Sequence, residues 1–262
     1  MYDFSYSRAS SSDEAISKHG ASDDARYLAG GMTLIPVLKQ RLDQPSDVVD
    51  LGDLEDLRGI TEDSGAIVVK AMTTHHQVHS SELVKSKIPA LADLAGTIGD
   101  PMVRNRGTIG GSLANNDPAA SYPSAVLALN ATINTDKRAI PADEFFTGMF
   151  DTALEEGELI VSVSFPIPEQ AGYKHFPNPA SRYPIVGSFV AKTSDGVRVA
   201  ITGAGACAYR QTEFEEAWAD GDLDPDKIKD IKISDEGLNS DIHASAEYRA
   251  HLINVMTRRA IG

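Results

Sequence analysis

Apolar residues recur along this chain at spacings of three to four and of two, and the switches between these spacings mark out its elements. Ser11-Ser12-Asp13-Glu14 precede Ala15-Ile16, which is the pattern of a capped helix start, and Gly20 supplies a stop. Arg26 to Ala29 predicts a short strand that runs into Gly30-Gly31. A second helix is expected from about Thr33 to Arg41, with Leu34, Leu38 and Leu42 on one face, then a strand at Asp47 to Leu51. The chain therefore opens as strand–helix–strand.

Ala66 to Ala71 is a further strand, after which Thr73 or Thr74 caps a helix running from His75 to Val84. Pro89 to Ile98 places Leu91, Leu94, Ala95 and Ile98 at helical spacing. A glycine-rich stretch at Arg106 to Gly111, then Asn115-Asn116-Asp117-Pro118, lead into a helical run ending at Leu129. Ala131 to Asn134 and Leu159 to Phe165 read as strands. Pro166, Pro168 and Gly172 mark a boundary. Beyond it, Gly187 to Thr193 and Val197 to Thr202 form a hairpin over Ser194-Asp195-Gly196. The remainder, from about Gln211, has a mostly helical pattern.

Composition narrows the chemistry. The chain carries 24 Lys and Arg against 38 Asp and Glu, a net charge of -14. Nucleic acid and anionic membrane surfaces need basic patches, so neither is an expected partner. An acidic protein that binds a phosphate must do so mainly with backbone N–H groups. Cys207 is the sole cysteine, so no iron–sulfur cluster or cysteine-rich zinc site can be built from this chain. The N-terminus has no secretory pattern, and no stretch reaches the roughly 18 apolar residues of a membrane span. A soluble, cytoplasmic protein is expected.

Two segments carry the candidate chemistry. One is Ala29-Gly30-Gly31-Met32-Thr33-Leu34-Ile35-Pro36; the other runs Gly107-Thr108-Ile109-Gly110-Gly111-Ser112-Leu113-Ala114-Asn115-Asn116-Asp117-Pro118. Each sets a glycine pair between an extended segment and a helix. Glycine admits positive φ, so successive N–H groups can point into one concavity, and it lets an anion approach the backbone. Thr33, Thr108 and Ser112 add hydroxyls. Two such loops that meet in space would clamp a pyrophosphate.

These two motifs, in this order, resemble the FAD-binding medium subunit of the molybdenum hydroxylases, the carbon monoxide dehydrogenase and xanthine dehydrogenase type. The likeness extends to Gly157-Glu158-Leu159-Ile160, to Lys174 through Tyr183, and to Ala244 through Arg249. It implies an α+β protein. Residues 1–168 would form a two-part FAD-binding fold of the vanillyl-alcohol oxidase (PCMH) type, about 1–54 and 55–168, and 169–262 a small C-terminal domain of antiparallel sheet and helices. The first loop, Ala29, Gly30, Gly31, Met32, Thr33 and Leu34, would cradle the FAD pyrophosphate. Thr108, Ile109, Gly110, Gly111, Ala114, Asn115 and Asp117 would contact pyrophosphate and ribityl chain. Ile160 would lie near the adenine or flavin, with Lys174 and Tyr183 near the isoalloxazine. Ser121 departs from the pattern, since many relatives carry an acidic residue there.

The same resemblance implies a divided enzyme. The molybdenum cofactor would sit on a large subunit and 2Fe-2S clusters on a small one. This oxidoreductase subunit would collect electrons on FAD and pass them to an acceptor such as NAD, a quinone or oxygen, with no acid–base catalytic residue and no metal of its own. The alternative is a free-standing FAD-dependent oxidase or dehydrogenase. Three other features attract attention. Gly203-Ala204-Gly205 follows a strand, as in a dinucleotide fingerprint, but Ala208-Tyr209-Arg210 continues as strand and too little chain follows for a Rossmann sheet. His75, His76 and His79 read as a polar helix face rather than metal ligands, and Cys207 as a buried apolar residue.

Overall fold

The computed structural model describes residues 1–262 and is α+β. Three strands, β1 (Ser5–Arg8), β2 (Ala25–Leu28) and β3 (Asp47–Asp50), form a small parallel sheet in the order β1-β3-β2. Its crossovers contain α1 (Ser12–Gly20) and α2 (Leu34–Lys39). Ser11 caps α1, its side chain accepting from Glu14 N–H as the sequence suggested. α2 is shorter than its periodicity predicts: Leu38 is buried, but Leu42 lies beyond the helix and is 72% exposed. A minor core of Ala9, Ala15, Val49, Leu51, Leu54 and Leu57 fills this sheet.

After a 3₁₀ turn at Glu55–Leu57 come β4 (Ile60–Asp63) and β5 (Ala66–Lys70). Six helices follow: α3 (His75–Ser80), α4 (Glu82–Lys87), α5 (Pro89–Thr97), α6 (Pro101–Arg104), α7 (Ile109–Asn115) and α8 (Tyr122–Ala128). The single helix expected from His75 to Val84 is two. Thr74 caps α3 through a capping box with Gln77, and Ser81 then leaves helical geometry to cap α4 through Val84 N–H. The elements β6 (Thr132–Thr135), β7 (Ala139–Pro141), α9 (Ala142–Phe145), β8 (Phe146–Gly148), β9 (Asp151–Thr152) and β10 (Ile160–Pro166) complete this part. A five-stranded antiparallel sheet results, ordered β4-β5-β10-β6-β7.

The last sheet contains β11 (Gln170–Pro177), β12 (Pro184–Thr193), β13 (Gly196–Thr202) and β14 (Tyr209–Arg210) in sequence order, all antiparallel. Eight consecutive residues of β12 are buried because both faces of this strand are covered. Phe189 and Ala191 point into the large core shared with α5, α7 and α8, whereas Val186 and Val190 join a second core under the C-terminal helix. The tail is less helical than expected. It holds α10 (Thr212–Ala217), a 3₁₀ turn at Pro225–Ile228, irregular chain, and α11 (Ala246–Ile261). Asp and Asn side chains organise the irregular stretch locally, as where Asp241 accepts from His243 and Ala244 N–H. No helix is long and apolar enough to cross a membrane.

Candidate functional site: a cavity between the two glycine loops

A cavity of about 610 Å³ opens at the C-terminal ends of β2 and β3, a size typical of ligand clefts. One wall is Ala29 to Leu34 with Leu51; the other is Ala71, Met72, His75 and the segment around α7. Glu158, Leu159 and Ile160 line one end, and Ser181, Arg182 and Tyr183 border the cavity from the C-terminal sheet. The two glycine loops, almost 80 residues apart in sequence, thus face one space.

They do so by direct backbone packing. A Cβ on Gly30 would lie 2.1 Å from the Arg106 carbonyl oxygen and 2.9 Å from Gly107 Cα. The second loop is itself pinned: His75 N–H donates to Gly107 O at 3.0 Å and Ile109 N–H to Thr73 O at 3.1 Å. Glycine is therefore required at position 30 for close approach, while Gly31 takes the positive φ of 75°.

The loops differ in what they offer. The N–H groups of Gly30, Gly31, Met32 and Thr33 donate to no acceptor in the chain. Four consecutive free donors beside a cavity are the anion cradle that an acidic protein needs. The second loop departs from the expectation. Its glycines have no positive φ; they form the first turn of α7, and the N–H groups there are already used. Ile109 N–H bonds Thr73 O, Gly110 bonds Ala71 O, Gly111 bonds Thr108 Oγ1 and Ser112 bonds Thr108 O. Gly110 is glycine because a Cβ would meet the Ala71 Cβ at 2.7 Å. What this loop presents is a smooth surface at Gly111 and Ala114, with the hydroxyls of Thr108 and Ser112 and the amide of Asn115.

Of the other predicted residues, Ile160, Asp117, Ser121 and Tyr183 line the cavity, and two do not. Ile109 is fully buried in the main core under the loop. Lys174 lies on the wrong face of β11. Gly172 and Phe176, which share its face, meet Ala260 and Tyr248 of α11, whereas Tyr173 points to the main core. Strand alternation turns Lys174 away from the cavity, and its place near the isoalloxazine is not supported. Ser121 is buried beside α8, so burial rather than charge governs that position. Asp117 brings a carboxylate to the cavity wall; burial pushes its pKa up, and its Oδ1 accepts from Ala119 N–H. Tyr183, 45% exposed, stands at the edge with its hydroxyl pKa raised by burial and by Asp117.

Several lining residues escaped the sequence reading. Phe150 reaches the cavity on the β8–β9 hairpin, held where Asn116 Nδ2 donates to Gly148 O and Asp151 O. Asn116 is in the left-handed region at φ 40°, the only local hint of this turn. Arg182, also left-handed at φ 65°, donates to Gly99 O at 3.2 Å and ties the edge of the C-terminal sheet to the helical layer. Glu158 is buried against Arg138, Thr135 and Glu155 N–H, with its pKa held down at about 2 chiefly by the Arg138 hydrogen bond.

The distracting motifs resolve structurally. Gly203 follows β13 in a tight backbone crossing, where a Cβ would lie 2.6 Å from Pro184 O, and the next element is β14 rather than a helix. Arg104, just before the second glycine loop, is occupied in donating to Ile98 O and Gly99 O. The histidines are not an exposed polar face: His76 is exposed, His79 Nδ1 lies 2.9 Å from Ala92 O, and His75 is buried at the cavity wall. Cys207 is half-buried.

Comparison with known proteins accords with this geometry. Residues 2–168 match a family model described as the FAD binding domain in molybdopterin dehydrogenase, and residues 171–262 one described as the CO dehydrogenase flavoprotein C-terminal domain. The glyceraldehyde dehydrogenase medium chain of Sulfolobus acidocaldarius is 34% identical, with 98% of this chain and 97% of that protein aligned. The carbon monoxide dehydrogenase medium chain of Hydrogenophaga pseudoflava is 31% identical over 98% of this chain and 96% of its own length. A solved structure of reconstituted CO dehydrogenase from Oligotropha carboxidovorans superimposes with a TM-score of 0.89 at 30% identity, covering 99% of this chain and 96% of that one. The chain belongs to the family of FAD-binding medium subunits of molybdenum hydroxylases, the carbon monoxide dehydrogenase and xanthine dehydrogenase type.

Proposed function

We propose that this chain is the FAD-carrying electron-transfer subunit of a heteromeric molybdenum hydroxylase. The observation that carries the reading is the run of four unpartnered N–H groups, Gly30 to Thr33, facing the smooth surface of α7 across a cofactor-sized cavity. In a chain of net charge -14 these donors are the means of holding a diphosphate. Thr108 and Ser112 would add hydroxyl donors, and Gly111 and Ala114 would admit the ribityl chain against α7. Ile160 and Leu159 would pack against one end of the cofactor, and Tyr183 would cover the other, where a ring face suits the flat flavin.

Bound FAD accepts electrons singly or in pairs, which suits a junction between one-electron clusters and a two-electron acceptor. The residues of this chain bind, orient and shield it, and none is assigned a proton transfer. The molybdenum cofactor and 2Fe-2S clusters belong to a large and a small partner subunit in this reading, and NAD, a quinone or oxygen takes the electrons in the cytoplasm. We assign residues 1–168 to the flavin-binding domain, with halves at about 1–54 and 55–168, and 169–262 to the C-terminal domain. The confinement of each sheet to one of these spans supports that division.

Purification of the tagged chain from its native cell tests this function. The expected product is a complex with FAD, molybdenum and iron in stoichiometric amounts. A chain that purifies alone and oxidises small substrates by itself would instead be a free-standing oxidase.

A further inference from the structure

His75 opens α3 directly after its cap, Thr74, and is only 5% exposed at the cavity wall. Its ring packs against Tyr122, with centroids 5.4 Å apart. The main-chain N–H of His75 donates to Gly107 O, which joins the start of α3 to the second glycine loop. A Cβ on Gly107 would lie 2.5 Å from His75 Nε2, so the imidazole occupies the side that Gly107 leaves open. The same glycine abuts Gly30, whose Cβ would lie 2.9 Å from Gly107 Cα. Nε2, Gly107 and Gly30 are thus successive neighbours, and Gly30 begins the run of free N–H groups.

The imidazole makes no hydrogen bond within the chain, and its Nδ1 is buried without a partner. Burial, helped by the charge of Arg104, holds its pKa down at about 4, so the ring is neutral near pH 7. A neutral imidazole carries one N–H. On Nδ1 that proton would be a stranded buried donor, the costlier of the two arrangements; Nε2, beside Gly107, is not sealed in this way.

We propose that His75 is a diphosphate-positioning residue, its Nε2–H donating past Gly107 to a phosphate oxygen held by the N–H run of Gly30 to Thr33. The assignment rests on reading the cavity as the FAD site. It gives the second loop the directed donor that its own occupied N–H groups lack.

The test compares full-length wild type, His75→Leu and His75→Gln by FAD titration, by the ³¹P spectrum of bound FAD, and by its visible spectrum. A hydrogen bond to a charged phosphate predicts that His75→Leu weakens FAD binding about 10- to 100-fold. The ³¹P signals shift, the flavin absorption does not, and His75→Gln, whose amide also donates, recovers part of the affinity. Leucine binding within twofold of wild type, or a flavin spectrum that moves while ³¹P stays fixed, overturns the proposal alone. Wild type that takes up no FAD, alone or with its partner subunits, overturns the cofactor reading itself. If the variants do not fold, the wild-type imidazole ¹⁵N signals decide. An Nε2–H tautomer whose Nε2 signal responds to added ADP supports the assignment; an Nδ1–H tautomer or an unresponsive ring refutes it.

Discussion

Replacing Gly30 with alanine tests the contact between the two loops. The added methyl would lie 2.1 Å from Arg106 O, 2.7 Å from its carbonyl carbon and 2.9 Å from Gly107 Cα. All three are backbone atoms, so no side-chain rotation relieves the overlap. The obstructing segment is held by Gly107 N–H to Val103 O at 2.7 Å and by the Thr73 and His75 bonds already described. Overpacking of this kind costs about 1–3 kcal/mol, and an immovable backbone neighbour places Gly30→Ala at roughly 2–3. For a chain of this size that is a fall in Tm of roughly 4–12 °C. Gly111→Ala is the contrast. Gly111 sits in the first turn of α7, its nearest foreign atom is Thr108 Oγ1 at 3.0 Å, and alanine gains up to about 1 kcal/mol over glycine in a helix. Its methyl would stand 3.5 Å from the Ala29 Cβ where the two loops line the cavity, so FAD affinity falls about tenfold with little change in stability. Thermal unfolding and FAD titration of both variants separate packing from binding. Gly30→Ala with wild-type Tm, or Gly111→Ala with wild-type affinity, would refute the loop geometry.

Lys174→Ala is expected to leave FAD affinity within about twofold of wild type, because β11 turns that side chain toward α11; an affinity loss of tenfold would return it to the site. Arg182→Ala removes the bond to Gly99 O, and quenching of bound-flavin fluorescence by iodide should rise as the Ser181–Tyr183 edge loosens. Unchanged quenching would show that the contact does not shield the cavity. Glu158 has a folded pKa held near 2 against an ordinary 4.5, so its contribution to stability is present above pH 4.5 and is lost as pH falls toward 2. Urea unfolding should show Glu158→Gln less stable than wild type at pH 7, with the gap narrowing below pH 4.5. A gap that stays constant from pH 7 to pH 3 would refute the linkage.

What the sequence disclosed follows from how local its signals are. Ser11 and Thr74 cap their helices with their own side chains, and the periodic runs at Ala66 and Pro89 form the elements they predict. The two glycine loops were visible as motifs, but the purpose of each glycine was not. Gly30 and Gly110 are set by neighbours 76 and 39 positions away, Arg106 and Ala71, and no local pattern reveals a backbone contact across that distance. Two of the occupied N–H groups of α7, those of Ile109 and Gly110, depend on the Thr73 and Ala71 carbonyls in the same way. The sequence also does not say which face of β11 Lys174 occupies, since strand register decides that. His75 stood in view as part of a histidine cluster, yet its burial beside Gly107 is a tertiary fact. Phe150 and Arg182 reach the cavity on turns whose left-handed residues, at φ 54° and 65°, are ordinary in type and so gave no warning.

In the proposed function the two loops bind a flavin through its diphosphate. This is tested most directly by titrating the purified full-length chain with FAD and with FMN, alone and with its partner subunits, while following flavin fluorescence. Saturable one-to-one binding of FAD is expected, with much weaker binding of FMN, which lacks the diphosphate bridge. Equal affinity for the two flavins, or no FAD binding even in the assembled complex, would contradict it.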